Sequence, residues 1–443
     1  MAFLGLRGTG NWADGQRPKD WRESILRLMP NGDAPLTAIT AKLGKEIATD
    51  AEFNWWEDEL PSQAANLDDG GGVFDDSALT TGYTDTDSRA NHGNTIYLKL
   101  ATAEDYGLFR KRHNIRITDT DNPELSIFAR VIASESGKVT AKLYLPDFTD
   151  ANGAAMYPDT GLANADRIMI VGSSQGEGMD MPKAINFNPS KFYNYTQIFE
   201  YPLELTRTAK KTRLRTPKQY QRSKAEALQQ YSRMIEKAYI WGVPMENLTG
   251  GENGKPLRHT GGIRHFLRKG APDNIQNYSG ATALSWAAGG EDWLDEKLEQ
   301  LFAYGSDEKL ALVGSSALTA FNKLAKASGT MQLVPATKDY GIRVVKYHHS
   351  HGVLWLKRHP LFSIEPTMNR AAMIIEPKYI SRRHLEGDDT RYKKDPQGTN
   401  FSEGGEHSKD KLKESYISEE GLVVSGVKSM GLLQGLGVDN PAV

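Results

Sequence analysis

The sequence predicts an α+β protein, and three runs of residues carry that expectation. Between 94 and 171, short stretches of β-branched and aromatic residues alternate between turn residues, the pattern of half-buried strands. From Pro217 to Trp241 the apolar spacing lengthens to that of one long helix. Beyond 260, helical and strand patterns take turns, as an α/β layer requires. At 443 residues the chain is too long for one small core, and length alone gives roughly two or three domains.

Composition narrows the class. Apolar residues at 39% and aromatics at 9% are enough to build cores, which excludes wholesale disorder. The 42 glycines and 20 prolines imply many turns and long loops. There is no cysteine, so disulfides and thiolate metal sites are excluded, in keeping with a reducing cytosol. The N-terminal stretch MAFLGLRGTGNW lacks the apolar run of a signal peptide. No segment approaches the ~18 apolar residues of a membrane span. The expectation is a soluble chain made in the cytoplasm, without a membrane partner.

The net charge of −2 conceals two opposed blocks. Residues 50–88 hold eleven Asp and Glu and no Lys or Arg. Residues 205–224 hold eight cations and no acid: Arg207, Lys210, Lys211, Arg213, Arg215, Lys218, Arg222 and Lys224.

Along the chain, Asp33 and Pro35 open a helical pattern with Leu36, Ile39, Leu43 and Ile47 at spacings of three and four. It runs into Phe53-Asn54-Trp55-Trp56, a knot of large rings that needs a surface to bury against. That surface is either the chain's own core or a neighbouring copy. Residues 67–95 are rich in Gly, Asp, Thr and Ser and read as a loop. Strands are expected at 94–101, 114–118, 125–133, 138–145 and 167–171, with a hairpin turn at Glu135-Ser136-Gly137-Lys138. Arg110, Lys111, Arg112, His113 and Arg116 form a basic cluster inside this β-rich segment.

Residues 193–208 read as extended. Thr216 then caps, and Pro217 opens, the long helix. Its apolar stripe is Tyr220, Ala227, Leu228, Tyr231, Met234, Ile235, Ala238 and Trp241, and Gly242 stops it. After a Gly-rich linker at 249–262, helices are expected at 291–304 and 315–327 around a buried strand at 309–313. A hairpin is expected from 342–347 and 352–358, turning at Ser350-His351-Gly352, and a strand pair from 371–375 and 378–381. Residues 386–414 read as a long surface loop, and 416–424 as the final strand, kinked at Gly421.

Four patterns bear on chemistry. Gly172-Ser173-Ser174-Gln175-Gly176 matches G-x-S-x-G, which would make Ser174 a hydrolase nucleophile if a helix followed at once. The next residues, Glu177-Gly178-Met179-Asp180-Met181-Pro182, favour a turn instead. His348, His349 and His351, with His359 nearby, lack the companion Cys or carboxylates of a zinc site. Gly250 to Lys255 has the wrong register for a phosphate loop, and Pro256 replaces the magnesium-binding hydroxyl. No cofactor or metal is expected. The basic run, beside Tyr193, Tyr195 and Tyr201, suits nucleic acid, a solvated face, or the acidic block of another copy.

The order of elements resembles the major capsid proteins of tailed bacteriophages, the Hong Kong 97-type fold. The likeness rests on 35–39 through Phe53-Asn54-Trp55-Trp56, on Thr206-Arg207-Thr208-Ala209 through Trp241-Gly242, on Thr260-Gly261-Gly262-Ile263, and on Glu419-Glu420-Gly421-Leu422-Val423-Val424. It implies an N-terminal arm (1–61), an extended loop with an inserted β-rich subdomain (62–204), a peripheral domain (205–259) with a spine helix at 217–241, an axial domain (260–370), and return strands (371–443) with the surface loop 386–414. The implied function is structural: hexamers and pentamers closing into an icosahedral virion shell around double-stranded DNA, assembled in the host cytoplasm. Implied partners are a separate scaffolding protein, a portal and a decoration protein. The expected inter-subunit contacts are Phe53, Trp55, Trp56, Arg110, Lys111, Arg112, Arg207, Lys210, Lys211, Arg213, Arg215 and Arg222. The alternatives are a DNA-associated virion protein using the strip 207–224 and, more remotely, a serine hydrolase through Ser174.

Overall fold

The computed structural model describes residues 45–58, 62–68, 71–84, 93–122, 126–144, 162–212, 219–278, 285–328, 333–339, 342–387, 389–394 and 411–438. The chain divides into two compact units, 58–190 and the remainder. Strands β1 (Lys45–Ala48) and β2 (Glu52–Glu57) precede the first of these.

The 58–190 unit is a seven-stranded sheet. Its strands are β3 (Ala64–Asn66), β4 (Val73–Phe74), β5 (Thr95–Leu98), β6 (His113–Thr118), β7 (Ile127–Glu135), β8 (Lys138–Tyr144) and β9 (Arg167–Ser173). They lie side by side in the order β3-β9-β6-β7-β8-β5-β4. Period-two alternation puts Ile96, Leu98, Ile115, Ile117, Ile127, Val139 and Leu143 on one buried face. Each such side chain contributes about 1.5–3 kcal/mol when removed from water. The expected β7–β8 hairpin closes by pairing Glu135 with Lys138. Gly137, at φ +99°, takes the left-handed turn position. The 67–95 stretch, expected as a loop, contributes β4 and carries β5 at its end.

The remainder of the chain is α+β. Strands β10 (Ser190–Tyr195) and β11 (Gln197–Thr206) lead to helices α1 (Arg207–Lys211) and α2 (Gln219–Trp241). A hairpin of β12 (Met245–Asn247) and β13 (Leu257–His259) follows, then α3 (Ile263–Gly270), β14 (Ile275–Asn277), α4 (Trp286–Phe302), β15 (Glu308–Val313) and α5 (Ser315–Ser328). Next come β16 (Leu333–Asp339), β17 (Ile342–His349), β18 (Gly352–Arg358), α6 (Pro360–Ile364) and β19 (Ala372–Ile375). The chain closes with β20 (Ile380–Leu385), β21 (Arg391–Lys394), β22 (Lys411–Val424) and β23 (Gly431–Gln434). One sheet runs β1-β20-β22-β11, with β21 also on β22; another runs β14-β23-β19-β15-β18-β17-β16; β2 pairs with β10. Helices α4 and α5 cover the seven-stranded sheet through Trp286, Leu294, Leu298, Phe321 and Leu324.

Several expectations are corrected. Ile47 lies in a strand parallel to β20, not in a helix; Leu36, Ile39 and Leu43 fall outside the described residues. Phe53-Asn54-Trp55-Trp56 is itself a strand, because alternation across a sheet buries two of its rings and exposes the third. The extended run ends at Thr206, whose side chain accepts from the Ala209 N–H and caps α1, so the basic block begins helical. Thr216 and Pro217 lie outside the described residues. Segments 371–375 and 378–381 do not pair: β19 joins the seven-stranded sheet and β20 the other, redirected by a turn at Pro377–Tyr379. β22 is not the final strand, since β23 pairs with both β14 and β19.

Two glycines act through close approach. Gly242 ends α2 without a left-handed φ; a Cβ there would lie 2.3 Å from the Thr260 carbonyl and 2.4 Å from that of Ala238. Gly421 sits within the continuous strand β22, where a Cβ would meet the Phe53 ring at 2.7 Å and the Tyr195 carbonyl at 2.7 Å. The expected kink is a seat for Phe53.

Candidate functional site

The long helix α2 organises the site. Its buried face is Ala227, Tyr231, Ile235, Glu236, Tyr239 and Ile240, with Met234, Ala238 and Trp241 packed against the same core, so the expected stripe holds except at one position. Leu228, assigned to the core from sequence, is 42% exposed. The helix lies on β11 and β22, where Phe199, Leu422 and Val424 share its core.

Several of the polar groups buried in that seat are hydrogen-bonded, as burial demands. The Tyr231 hydroxyl donates to Ser418 Oγ, which donates to Glu420 Oε1 at 3.1 Å. Arg382 holds Glu420 at 2.6 Å and Asp389 at 2.7 Å. Burial outweighs this cation and raises the Glu420 carboxyl above its usual range. Burial also pushes the Tyr231 phenol up to about 12. At the N-terminal end of α2, Tyr220 donates to Glu414 Oε2 at 2.6 Å, and Tyr392 donates to the same oxygen. The Lys224 ammonium stands 3.7 Å over the Tyr392 ring.

At the other end, Asn194 joins three segments. Its amide donates to Thr260 Oγ1, Gly261 O and Leu422 O and accepts from the Gly261 N–H at 2.6 Å. Between these ends, Glu236 Oε1 meets His359 Nε2 at 2.7 Å, with both side chains fully buried. Tyr220 and Tyr231 thus bond α2 to β22, and Glu236 bonds it to the residue that precedes α6.

The opposite side is different. Ile198, Val243, Met245, Leu248 and Leu257 are 40–65% exposed around the β12–β13 hairpin. Val243 and Met245 line a cavity of about 480 Å³ with Lys237, Trp241 and His259, and Ile198 and Leu257 line a smaller one of about 100 Å³. Single exposed apolar side chains are ordinary, but a clustered group marks a protein-contact surface.

The expected contact residues separate. Phe53 and Trp55 pack within the chain's own core, where Trp55 stacks on Phe192 at 5.9 Å, and Trp56 is 63% exposed. In the 58–190 unit, Arg110 donates to His113 Nε2 and to the Lys183 carbonyl. Lys111 is exposed. Arg112 donates to Gln175 Oε1 and the Asp180 carbonyl. Arg207, Lys210 and Lys211 belong to α1, with Lys211 exposed, and Arg222 is half-buried on α2. Arg213 and Arg215 lie outside the described residues. The acidic block is partly spent internally, since Asp68 pairs with Lys99 at 2.5 Å.

Sequence reading missed Glu236, Glu414, Glu420 and Arg382, because a charged residue is ordinarily assigned to solvent. Spacing held a signal for Glu236: it lies one residue after Ile235 and four before Ile240, inside the buried arc.

The enzymatic patterns find no support. Ser174 Oγ donates to Asn114 Oδ1 at 3.1 Å, and the residues after it form a turn, not the helix an elbow needs. His349 pairs with Asp295 at 2.6 Å, and His359 is held elsewhere by Glu236. Among the described residues no group of three or more His, Asp or Glu is placed to hold a metal. No described helix is long and apolar enough to cross a membrane.

Comparison with known proteins supplies the remaining context. A family model described as the SU10 major capsid protein matches residues 7–437. The major capsid protein of Pseudomonas phage PaMx41 is 21% identical over 427 residues, covering 94% of this chain and 92% of that protein. Among solved structures, the capsid of a native GTA particle is similar at 10% identity with a TM-score of 0.40, covering 97% of this chain and 99% of its own. The capsid of Myoviridae phage XM1 is similar at 13% identity with a TM-score of 0.35, covering 60% and 81%.

Proposed function

The chain belongs to the SU10 major capsid protein family, and on that premise we propose that its copies close as hexamers and pentamers into an icosahedral shell around double-stranded DNA. The match across residues 7–437 carries this reading. As a phage major capsid protein its place is the virion capsid, and its role is structural, not enzymatic. The arrangement is of the Hong Kong 97 type: arm at 1–61, extended loop with its inserted subdomain at 62–204, peripheral domain at 205–259, axial domain at 260–370, and return strands at 371–443. Assembly takes place in the host cytoplasm, with a scaffolding protein, a portal and a decoration protein as further partners.

The bonded helix seat and the apolar hairpin side divide the work. A subunit that tiles a lattice must keep its shape while offering surface to neighbours. The cationic residues 207–224 meet an acidic segment of the next copy, and Trp56 and the β12–β13 hairpin supply apolar contact. Individually weak contacts suffice, because closure makes them cooperative.

Negative-stain microscopy of the purified chain tests this directly, with shells or capsomer rings as the expected result. A strictly monomeric chain under assembly conditions would overturn it. Arg213→Glu with Arg215→Glu should leave a folded, unassembled protein, whereas normal particles would refute the charge pairing alone.

A further inference from the structure

The outward face of the 58–190 sheet has a chemistry that shell-building does not use. One row across four strands is Met169, Arg116, Phe128 and Tyr144, each directly opposite the next. The neighbouring row is Asn114, Arg130, Lys142 and Thr95. Arg167 extends the face opposite Thr118. All of these side chains are exposed or half-buried, while the alternate positions form the unit's core.

Among the described strand residues, charge on this face has one sign. Strands β6, β8 and β9 contain no acidic residue, and β7 has only Glu135, at its turn. Arg116 bonds the Ser126 hydroxyl at 2.8 Å and Arg130 the Ser174 carbonyl at 2.9 Å, both neutral oxygens. Their positive charge is therefore not cancelled by these bonds. Directly opposed strand residues stand about 5 Å apart, so the cations and rings interleave on the scale of one nucleotide.

We propose that this face binds a single strand of nucleic acid. Phosphates lie along Arg116, Arg130, Lys142 and Arg167, and bases stack on Phe128 and Tyr144. Any base offers a π face to an aromatic ring, so such a platform binds without strong sequence preference. The paired rings favour this ligand over an acidic peptide, which would need only the cations.

The test is fluorescence anisotropy of a labelled oligothymidylate with the full, unassembled chain. Binding should weaken steeply with salt. Phe128→Ala with Tyr144→Ala, which keeps every charge, should weaken it at least tenfold, as should Arg116→Glu with Arg130→Glu. Lys211→Glu with Arg222→Glu should leave it unchanged. Thermal melting of each variant separates lost binding from lost folding. Three outcomes would overturn the proposal: no binding, loss confined to the 211/222 variant, or binding indifferent to the rings and displaced equally by polyglutamate. The last would give the face to an acidic segment, such as 50–88 of a second copy. Shell formation by the ring variant is read separately by microscopy, so this proposal and the shell reading can fail independently.

Discussion

His359 and Glu236 meet at 2.7 Å with neither side chain reaching solvent, which ties the start of α6 to the middle of the long helix. Removing one partner of a buried pair leaves the other charge or dipole uncompensated, at about 3–5 kcal/mol. Glu236→Ala should therefore lower stability by that order in chemical denaturation. Glu236→Gln, which can still accept from the ring, should cost less. Equal losses in the two variants would show that the carboxylate itself, not the filled volume or a neutral acceptor, matters there.

Gly421→Ala should destabilise the chain by about 1–3 kcal/mol, the usual cost of overpacking. The new methyl would enter both the Phe53 ring and the Tyr195 carbonyl. Phe53→Ala should rescue only part, since the carbonyl cannot step aside. Full rescue in urea titrations would place the whole conflict on the ring.

Alkaline pH should unfold the protein through its buried tyrosines. An unfolded tyrosine ionises near 10.0, whereas Tyr231 in the fold does so at about 12. The folded state keeps its proton through that window. Stability is thus complete below pH 10 and falls as pH rises toward 12, by about 2–3 kcal/mol for this residue. Tyr239 and Tyr347 are raised by burial in the same direction. Tyr231→Phe should flatten the decline in melting temperature across that range.

Leu248→Asp and Val243→Asp should leave the melting temperature within a degree or two while suppressing assembly in sedimentation velocity. Both positions are exposed, at 65% and 61%, so the folded monomer has little to lose there. A large drop in melting temperature would instead mean that the hairpin supports its own chain.

Where one sheet face is buried, the sequence was legible: the Gly137 turn and the alternation of β6, β8 and the first half of β7 persist in the structure, with register shifts after Val131 and Asn114. The helix–strand–helix order around β15 was equally readable, because each period persists for several residues. Ile47 and Phe53 were not, since four- and six-residue strands stabilised by distant partners leave a pattern too short to separate from one helical turn. β23 was hidden for another reason. It lies between two strands in a sheet and reads simply as Gly-Leu-Leu-Gln, without alternation. The buried charges Glu236 and Glu420 are legible only when their partners, 123 and 38 positions away respectively, are known.

β2 ends at Glu57 and β10 begins at Ser190, and these strands are hydrogen-bonded neighbours. The polypeptide thus departs from and rejoins its host framework through one clasped doorway. Whatever occupies the interval adds little to the entropy of holding that doorway shut, because closure cost grows only slowly with loop length. The 58–190 unit is in this sense a cassette: a short hairpin or a foreign domain with close-set termini can be spliced in its place while β2 and β10 keep their register.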